Sequence, residues 1–411
     1  MTTIQKTADG YTLLRNGEAF FIKGAVGNRF LERLVQAGGN SIRASVNDLD
    51  RAHALGLTVL ANLPFGKPRW GFDYNDRAAV ARQLDDLRQT VQQFKDHPAL
   101  LMWAIGNELE IWTTPEQRVP LWQAVNEAAQ MIHEVDGKHP VITPVGCDYR
   151  HLLWEIDELC PALDAIGINA YQDMLTLPED LRQLRWSRPY VITEFGPRGH
   201  WQVIKTPWGM PIEDSSTQKA EFYRRAYQHA VLNRPQCLGA YVFHWSFHHE
   251  KTHTWYGMFL EDGSPTEAVE VMQYLWSGSY PPNRCPRIQN LWIEHQNTRQ
   301  SAYAILDAGA QVHATVQADD PDGDTLTIRW ELRPDVADNP NVGGDREEPV
   351  QPIDGAILSS EGDHAIVQLP ESAGKYRLFV YVYDTAGNAA TANMPVWVRA
   401  SSSDYEFRKI F

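Results

Sequence analysis

The chain has 411 residues, too many for one ordinary compact core unless that core is a barrel, so we expect one large domain and a smaller one. Its 37 lysine and arginine residues stand against 52 aspartate and glutamate residues, and the formal net charge of -15 argues against nucleic acids and anionic membrane surfaces as partners. A neutral substrate fits this charge better. Tryptophans, of which the chain has 14, are common in proteins that bind sugar rings, although core packing explains any single tryptophan equally well.

The N-terminal segment MTTIQKTADGYTLLRNG has neither the basic start nor the apolar stretch of a signal peptide. No apolar run in the sequence reaches the roughly 18 residues that a membrane-spanning helix requires. From the sequence given, we therefore expect a cytoplasmic protein without a membrane segment. A periplasmic or secreted location is the alternative, because sandwich modules of the kind predicted below are common outside the cytoplasm.

From residue 19 to about residue 277, short apolar runs alternate with segments that fit helices, which is the arrangement of a parallel sheet with crossover helices. Eight such repeats predict a (β/α)8 TIM barrel. The eight predicted strands are AFFIKGAV, NSIRAS, LTVLANL, LLMWAIG, PVITPVG, DAIGINAY, PYVITEFG and LGAYVFHW.

Two of the intervening segments carry clear helix patterns. One has an apolar stripe with three- and four-residue spacing from Leu121 to Val135. In the other, Ser215 precedes Gln218 by three residues, which predicts a capping box at the start of a helix. Both segments lie where the barrel requires a helix.

A segment rich in proline, glycine and serine near residues 277–286 precedes a different sequence pattern, with short runs that alternate apolar and polar residues. The turn signals DDPDGD and DTAGN separate these runs, and the pattern predicts a small all-β sandwich of immunoglobulin-like type. We therefore predict a barrel over residues 1–280, a sandwich over residues 286–400 and a tail over residues 401–411. The predicted sandwich strands are AQVHATVQA, LTIRWEL, HAIVQLP, YRLFVYVYD and ANMPVWVRA.

Two glutamates follow hydrophobic barrel strands, Glu108 after the fourth and Glu194 at the end of the seventh. The C-terminal ends of the strands carry the active site of a TIM barrel, and strands three apart face each other across its mouth. Two carboxyl groups in this position favour glycoside hydrolysis. The alternative is that both are solvated or salt-bridged strand ends, but an acid beside a buried strand is costly unless its charge has a use.

In six segments the sequence resembles the barrel domain of glycoside hydrolase family 2 and, more broadly, the clan of retaining glycosidases with an acid/base after strand four and a nucleophile after strand seven. The resemblance covers residues 12 to about 277. The sandwich domains that usually precede this barrel are missing from the sequence, and a sandwich follows it instead, so the resemblance does not specify the sugar. The six segments are LLRNGEAFFIKGA, GGNSIRAS, MWAIGNELE, INAY, ITEFG and FHW.

The resemblance implies that Glu108 is the general acid/base and that Glu194 is the nucleophile that forms a covalent glycosyl-enzyme. It also implies four substrate-binding or supporting residues around them. Arg43 would stabilise the negative charge of the nucleophile, and Tyr171 would donate a hydrogen bond to the same carboxylate. Asn107 would bind the hydroxyl beside the anomeric carbon, and Trp245 would form the floor of the sugar subsite.

The residue types support the same division of roles. A carboxylate beside a guanidinium and a phenol should stay ionised, whereas a desolvated Glu108 should hold its proton. A retaining mechanism predicts that the carboxyl groups of Glu108 and Glu194 lie roughly 5 to 5.5 Å apart. Glu110, two residues beyond Glu108, is interpreted as a solvated or structural neighbour.

Four tryptophans outside the strands are candidates for contacts with sugar. Trp201 and Trp208 lie in the long connection GPRGHWQVIKTPWGMPIEDSS, and we expect one of them to stack on a sugar in the cleft. Trp70 and Trp112, in the loops after strands three and four, could line the opposite wall, although simple loop packing explains them equally well.

No metal or other cofactor is expected. Histidines 244, 248, 249 and 253 are close in sequence, but their spacing fits no closed zinc motif. DDPDGD has acids at alternate positions, as a calcium loop would, but it lacks the glutamate that completes an EF-hand, so a hairpin turn is the preferred interpretation.

Together these features predict a retaining β-glycosidase that acts on β-linked oligo- or polysaccharides. One alternative is a retaining transglycosidase, in which a sugar hydroxyl instead of water resolves the glycosyl-enzyme. The alternative from another class is a non-catalytic carbohydrate-binding protein, and the presence of both Glu108 and Glu194 argues against it.

Overall fold

The computed structural model describes residues 1–146, 149–335 and 350–400. The chain forms two compact units, the first made of Met1–Gly196 and Arg225–Trp245 and the second of Pro197–Arg224 and the residues from Ser246 onward. None of the described helices is long and apolar enough to cross a membrane. The domain limits given above stay a prediction.

The first unit begins with a small antiparallel sheet that the sequence patterns did not predict. Its strands are short and largely polar, so they lack a long apolar run. The strands are β1 (Thr2–Lys6), β2 (Tyr11–Arg15) and β3 (Glu18–Ala19).

Eight parallel strands then form a closed barrel, as predicted, and each predicted segment supplies one strand. Buried parallel strands are covered on both faces, which is why every residue of the run LLMWAI is buried. The strands are β4 (Ile22–Val26), β5 (Ser41–Ser45), β6 (Thr58–Leu63), β7 (Leu100–Ile105), β8 (Val141–Val145), β9 (Ala165–Asn169), β10 (Tyr190–Phe195) and β11 (Cys237–Val242), with β11 paired to both β10 and β4.

In the described part of the chain, seven α-helices alternate with the barrel strands. The predicted capping box is confirmed, because the Gln218 N–H donates to Ser215 Oγ over 3.3 Å and the Ser215 N–H donates to Gln218 Oε1 over 2.9 Å. The helices are α1 (Leu31–Gln36), α2 (Leu49–Ala54), α3 (Arg77–Phe94), α4 (Pro115–Val135), α5 (Tyr149–Leu159), α6 (Leu177–Gln183) and α7 (Ser216–Ala230), with 3-10 turns at Val46–Asp48, Pro68–Trp70 and Gln172–Leu175.

The second unit contains helix α8 (Glu267–Ser277) and two β-sheets with a shared apolar core that includes Trp330, Leu378 and Val396. The sheets confirm the predicted sandwich, with strand orders β13-β12-β15-β18-β17 and β14-β20-β19-β16. One pair, β14 with β20, is parallel rather than antiparallel. The strands are β12 (Arg287–His295), β13 (Thr298–Gln300), β14 (Ala304–Asp307), β15 (Gln311–Asp319), β16 (Thr327–Pro334), β17 (Ile357–Glu361), β18 (His364–Gln368), β19 (Gly374–Tyr383) and β20 (Ala389–Arg399).

Candidate active site

Polar side chains from five barrel strands, or from the residues just beyond them, meet in one hydrogen-bond network. In a TIM barrel the C-terminal ends of the strands form the catalytic face, so the network lies where a substrate would be bound. Its members are Arg43 of β5, Asn62 of β6, Asn107 and Glu108 after β7, Asn169 of β9 and Glu194 of β10.

Arg43 is the centre of this network, and it is only 3% exposed. Its Nη1 donates to Glu194 Oε1 over 2.8 Å, and its Nη2 donates to Asn107 Oδ1 over 2.5 Å. The Nε atom donates to Asn62 Oδ1 over 3.0 Å. A guanidinium suits this position because its fixed fork of donors can reach several acceptors at once.

Glu194 is held at both carboxylate oxygens. Arg43 donates to Oε1, and the hydroxyl of Tyr171 donates to Oε2 over 3.0 Å. The residue is 8% exposed, so its charge is largely removed from water. A nearby cation and a second donor both favour the ionised form of the carboxylate. The contacts that the resemblance implied for Arg43 and Tyr171 are therefore present, whereas the catalytic roles stay predictions.

Glu108 lies where the chain turns sharply after β7. Its φ angle is +49°, in the left-handed region that a non-glycine residue rarely adopts. The turn is held by the backbone, because the Glu108 N–H donates to the Pro144 carbonyl over 2.9 Å and Arg69 Nη1 donates to the Glu108 carbonyl over 2.7 Å. At the side chain, Oε1 accepts from Asn169 Nδ2 over 2.9 Å.

Asn169 connects the two acids, and the sequence analysis did not identify it. It is fully buried, and its Nδ2 also donates to Asn107 Oδ1 over 3.1 Å. Its Oδ1 accepts from Thr193 Oγ1 over 2.7 Å, beside Glu194 in the chain. The available signal was its position at the end of the sixth barrel strand, in the INAY segment that also contains Tyr171.

The network also fixes the orientation of Asn107. Two donors, Arg43 Nη2 and Asn169 Nδ2, point at its Oδ1. This leaves the amide Nδ2 group as the end of the side chain that is free to donate elsewhere, and its contact with a substrate hydroxyl stays a prediction. Trp245 lies after β11, where it is 1% exposed and donates from Nε1 to the Phe30 carbonyl over 3.2 Å, and its place beneath a sugar stays a prediction.

We expect Arg43→Lys to lower kcat/KM by about 10²-fold, because a single ammonium cannot hold Glu194, Asn107 and Asn62 in register and small displacements of reacting groups are costly. The free energy of unfolding should fall by about 1 to 3 kcal/mol, since buried acceptors lose their donor. Steady-state kinetics and urea unfolding test both expectations. The exposed Arg82→Lys is the matched control, and wild-type values for Arg43→Lys would contradict the positioning role.

Glu110 was interpreted as a solvated or a structural neighbour, and its burial rules out the solvated alternative. It is 7% exposed, and its Oε1 accepts the Gly146 N–H over 2.7 Å at the end of β8. Its Oε2 has no hydrogen-bond partner within the described part of the chain. Burial, reinforced by the charge of Glu108, raises the pKa of Glu110 to about 7, although the Gly146 N–H and Arg69 act in the opposite direction.

Trp201 and Trp208 belong to the second compact unit. Trp201 exposes 38% of its surface and makes an edge contact with His200, with ring centroids 4.9 Å apart. Trp208 packs edge-on against Tyr303 and Trp397 of the sandwich. Aromatic packing of this kind accounts for Trp208 without a ligand, and stacking of either indole on a sugar stays a prediction.

Trp70 and Trp112 belong to the first unit and are the more exposed pair. They expose 64% and 62% of their surfaces, in the loops after β6 and β7. Lys67 Nζ lies 4.6 Å from the ring centroid of Trp70. Exposed indole faces can stack on sugar rings, so both residues remain candidates for contacts with substrate.

Two of the four histidines at positions 244, 248, 249 and 253 have side-chain partners outside this group. His248 Nε2 lies 3.1 Å from Glu250 Oε2, and His253 Nε2 lies 2.5 Å from the hydroxyl of Tyr381. Burial lowers the pKa of His253 to about 3. Within the described ranges, one group has three potential metal-ligand atoms within 4.8 Å of one another, and it consists of Asp320, Asp324 and Asp384. The Asp320 side chain accepts the N–H groups of residues 322 and 324, which accounts for the turn in DDPDGD.

Comparison with known proteins links the barrel to a family. The family described as "Glycosyl hydrolases family 2, TIM barrel domain" matches residues 49–278. A protein from Paenibacillus borealis named beta-glucuronidase is 22% identical over an alignment of 330 residues that covers 66% of this chain and 52% of that protein. The chain thus spans about half the length of this curated relative.

Solved structures resemble the chain at low sequence identity. The beta-glucuronidase of Bacteroides uniformis has a TM-score of 0.50 and 15% identity, over 97% of this chain and 48% of that one. An FMN-binding beta-glucuronidase from Faecalibacterium prausnitzii L2-6 has a TM-score of 0.51 and 15% identity, and the match covers 98% of this chain and 60% of that one. A putative beta-galactosidase from Bacteroides fragilis has a TM-score of 0.50 and 15% identity, and the match covers 98% of this chain and 59% of that one. At these identities the likeness shows the fold alone.

Proposed function

The chain belongs to glycoside hydrolase family 2, and from this premise we propose that it is a retaining β-glycosidase that cleaves β-linked oligo- or polysaccharides. Glu194 is the proposed nucleophile and Glu108 the proposed general acid/base. The observation that carries the proposal is the buried network in which Arg43 and Asn169 join these two carboxyl groups. The proposed reaction requires no cofactor.

In the first step of the proposed reaction, a carboxylate oxygen of Glu194 attacks the anomeric carbon while Glu108 gives its proton to the glycosidic oxygen. The bond from the anomeric carbon to the leaving oxygen breaks, and the leaving group departs as an alcohol. Arg43 and Tyr171 hold Glu194 in its ionised form for the attack. The product of this step is a covalent ester between the sugar and Glu194.

In the second step, Glu108 acts as a base. It removes a proton from water, the water oxygen bonds to the anomeric carbon, and the ester bond to Glu194 breaks. Glu108 regains its proton and Glu194 its charge, so the enzyme returns to its starting state. Two inversions at the anomeric carbon give net retention, and we propose a carboxyl separation of roughly 5 to 5.5 Å for this geometry.

Two observations guide the choice of substrates. Proteins similar to this chain are named beta-glucuronidase and putative beta-galactosidase, so β-glucuronides and β-galactosides are the first sugars to test. The exposed faces of Trp70 and Trp112 support a substrate with sugar units beyond the cleaved bond. Aryl glycosides and β-linked oligosaccharides of each sugar form the panel.

The test is hydrolysis of this panel with the anomeric proton followed by NMR from the first turnovers. We expect the β-anomer to appear first and the α-anomer to follow only by mutarotation. Initial release of the α-anomer would contradict double displacement, because a single displacement inverts the anomeric centre.

Transfer to a sugar acceptor is the second proposed outcome at the same site. The exposed indoles of Trp70 and Trp112 offer surfaces on which an acceptor sugar could stack, as they do for a longer substrate. The two reactions differ in stoichiometry. If the free sugar released equals the leaving group released at high acceptor concentration, the enzyme hydrolyses and does not transfer.

A further inference from the structure

The turn that follows β7 contacts a side chain from the loop after β6. We propose that Arg69 is a positioning residue that fixes the direction in which the carboxyl group of Glu108 points, an inference that rests on the proposed function. The double displacement above uses Glu108 as acid and base and assigns nothing to Arg69.

Glu108 needs support from its surroundings because its backbone is strained. Its φ angle of +49° lies in the left-handed region, where the Cβ atom of a non-glycine residue is crowded by the following carbonyl oxygen. Such a conformation persists only where the surrounding structure holds it. The direction of the Cα–Cβ bond, and with it the place of the carboxyl group, depends on that conformation. The contacts that hold the turn therefore also orient the proposed acid/base.

Two hydrogen bonds fix the peptide groups on either side of the Glu108 Cα atom. On one side, the Glu108 N–H donates to the carbonyl of Pro144 in β8 over 2.9 Å. On the other side, the Glu108 carbonyl accepts from Arg69 Nη1 over 2.7 Å. The first bond comes from the backbone of the neighbouring barrel strand, whereas the second comes from a side chain. Without Arg69, the turn would keep the first of these bonds and lose the second.

The guanidinium of Arg69 is itself held in a defined place. The residue lies in the 3-10 turn Pro68–Trp70, which begins with a proline and ends at Gly71. Its Cζ atom lies 5.4 Å from the ring centroid of Trp70, within the range of a cation–π contact. Its Nε atom is buried and has no hydrogen-bond partner in the described part of the chain. Because a buried donor without a partner is destabilising, stability alone is a poor explanation for an arginine at this position.

The kinetic test compares Arg69→Met with Arg69→Lys on two kinds of substrate. If Arg69 orients Glu108, its loss should matter most where the leaving oxygen needs a proton. For alkyl glycosides we expect kcat/KM of Arg69→Met to fall by about 10 to 10²-fold, whereas for an activated aryl glycoside the fall should be less than about threefold. Arg69→Lys retains a donor and the positive charge near Glu110, so it should show the same pattern with a smaller loss.

The comparison between substrates separates positioning from an effect on folding. Partial unfolding lowers the rate for both kinds of substrate equally, because it reduces the amount of active protein. Equal losses for alkyl and activated aryl glycosides would therefore overturn the proposal, and so would wild-type rates in both variants. Arg82→Met, at an exposed residue of α3, is the matched control and should leave both rates unchanged. If circular dichroism shows that Arg69→Met does not fold, Arg69→Lys provides the same comparison.

A measurement that needs no substrate separates this inference from the proposed function. Crystal structures of the wild type and of Arg69→Met locate the Glu108 carboxyl group in each protein. We expect this group to move by about 1 Å or more in the variant while the eight barrel strands superpose. A carboxyl group that stays at its wild-type position would overturn the inference. If it moves but the wild type hydrolyses no glycoside of the panel, the positioning by Arg69 stands and the proposed function is wrong.

Discussion

Replacing Glu194 with glutamine is expected to lower kcat/KM by about 10⁴-fold or more, because the amide cannot form the glycosyl ester through which the proposed reaction proceeds. Glutamine has nearly the same shape, and its oxygen can still accept from Arg43. The loss should therefore appear in catalysis with little change in folding. Steady-state kinetics on the best aryl glycoside of the panel, with circular dichroism as a check of the fold, measure it.

Chemical rescue makes this prediction specific to a nucleophile. In Glu194→Ala, added azide should take the place of the carboxylate and give a glycosyl azide of α configuration, because only one displacement then occurs. The exposed strand residue Glu18, changed to glutamine, is the control and should keep full activity. Turnover near the wild-type level in Glu194→Gln would contradict the assignment.

Replacing Glu108 with glutamine should give a loss that depends on the leaving group. For alkyl glycosides, whose leaving oxygen needs a proton, we expect kcat/KM to fall by about 10² to 10⁴-fold. For an aryl glycoside with a strongly acidic leaving group the first step should lose much less, and the glycosyl-enzyme should accumulate because the second step lacks its base. Pre-steady-state release of the leaving group measures this as a burst.

The comparison between leaving groups is the decisive part of the Glu108 experiment. Glu116→Gln, at an exposed residue of α4, controls for the loss of one surface charge near the same loop. An equal loss for alkyl and activated aryl glycosides would show that Glu108 acts on binding or folding and not as the acid.

Much of the barrel was predictable because its strands are buried on both faces. Such strands appear in the sequence as continuous apolar runs, and LLMWAI is the clearest example. The position of Glu108 and Glu194 on the barrel then followed from chain order alone, since the C-terminal ends of parallel strands share one rim.

Strand β12 shows why part of the sandwich was not predicted. Its pairing with β15 contains a register shift between Ile288 and Asn290, so the buried positions in this strand are Ile288, Leu291 and Ile293. A bulge of this kind interrupts the two-residue alternation by which strands are recognised. The parallel pairing of β14 with β20 likewise depends on a crossing between sheets that local sequence does not reveal.

Within the site, local sequence indicated which residues end the strands but not how their side chains pair. The contact between Arg43 and Asn107 joins positions 64 residues apart, and the bridge from Asn169 to Glu108 spans 61. The sequence left open whether Glu110 is solvated or structural, and the turn at Glu108 is what brings it into the protein interior. These features depend on three-dimensional closure of the barrel.

The central claim is that Glu194 carries the sugar between the two steps. The most direct measurement uses the 2-deoxy-2-fluoro glycoside of the preferred sugar with an activated leaving group, which slows both steps and allows the ester to be isolated. Mass spectrometry of the intact protein and of its peptides should then show one added fluorosugar, located on Glu194. A label on another residue, or complete turnover of this substrate without any labelled protein, would contradict the account.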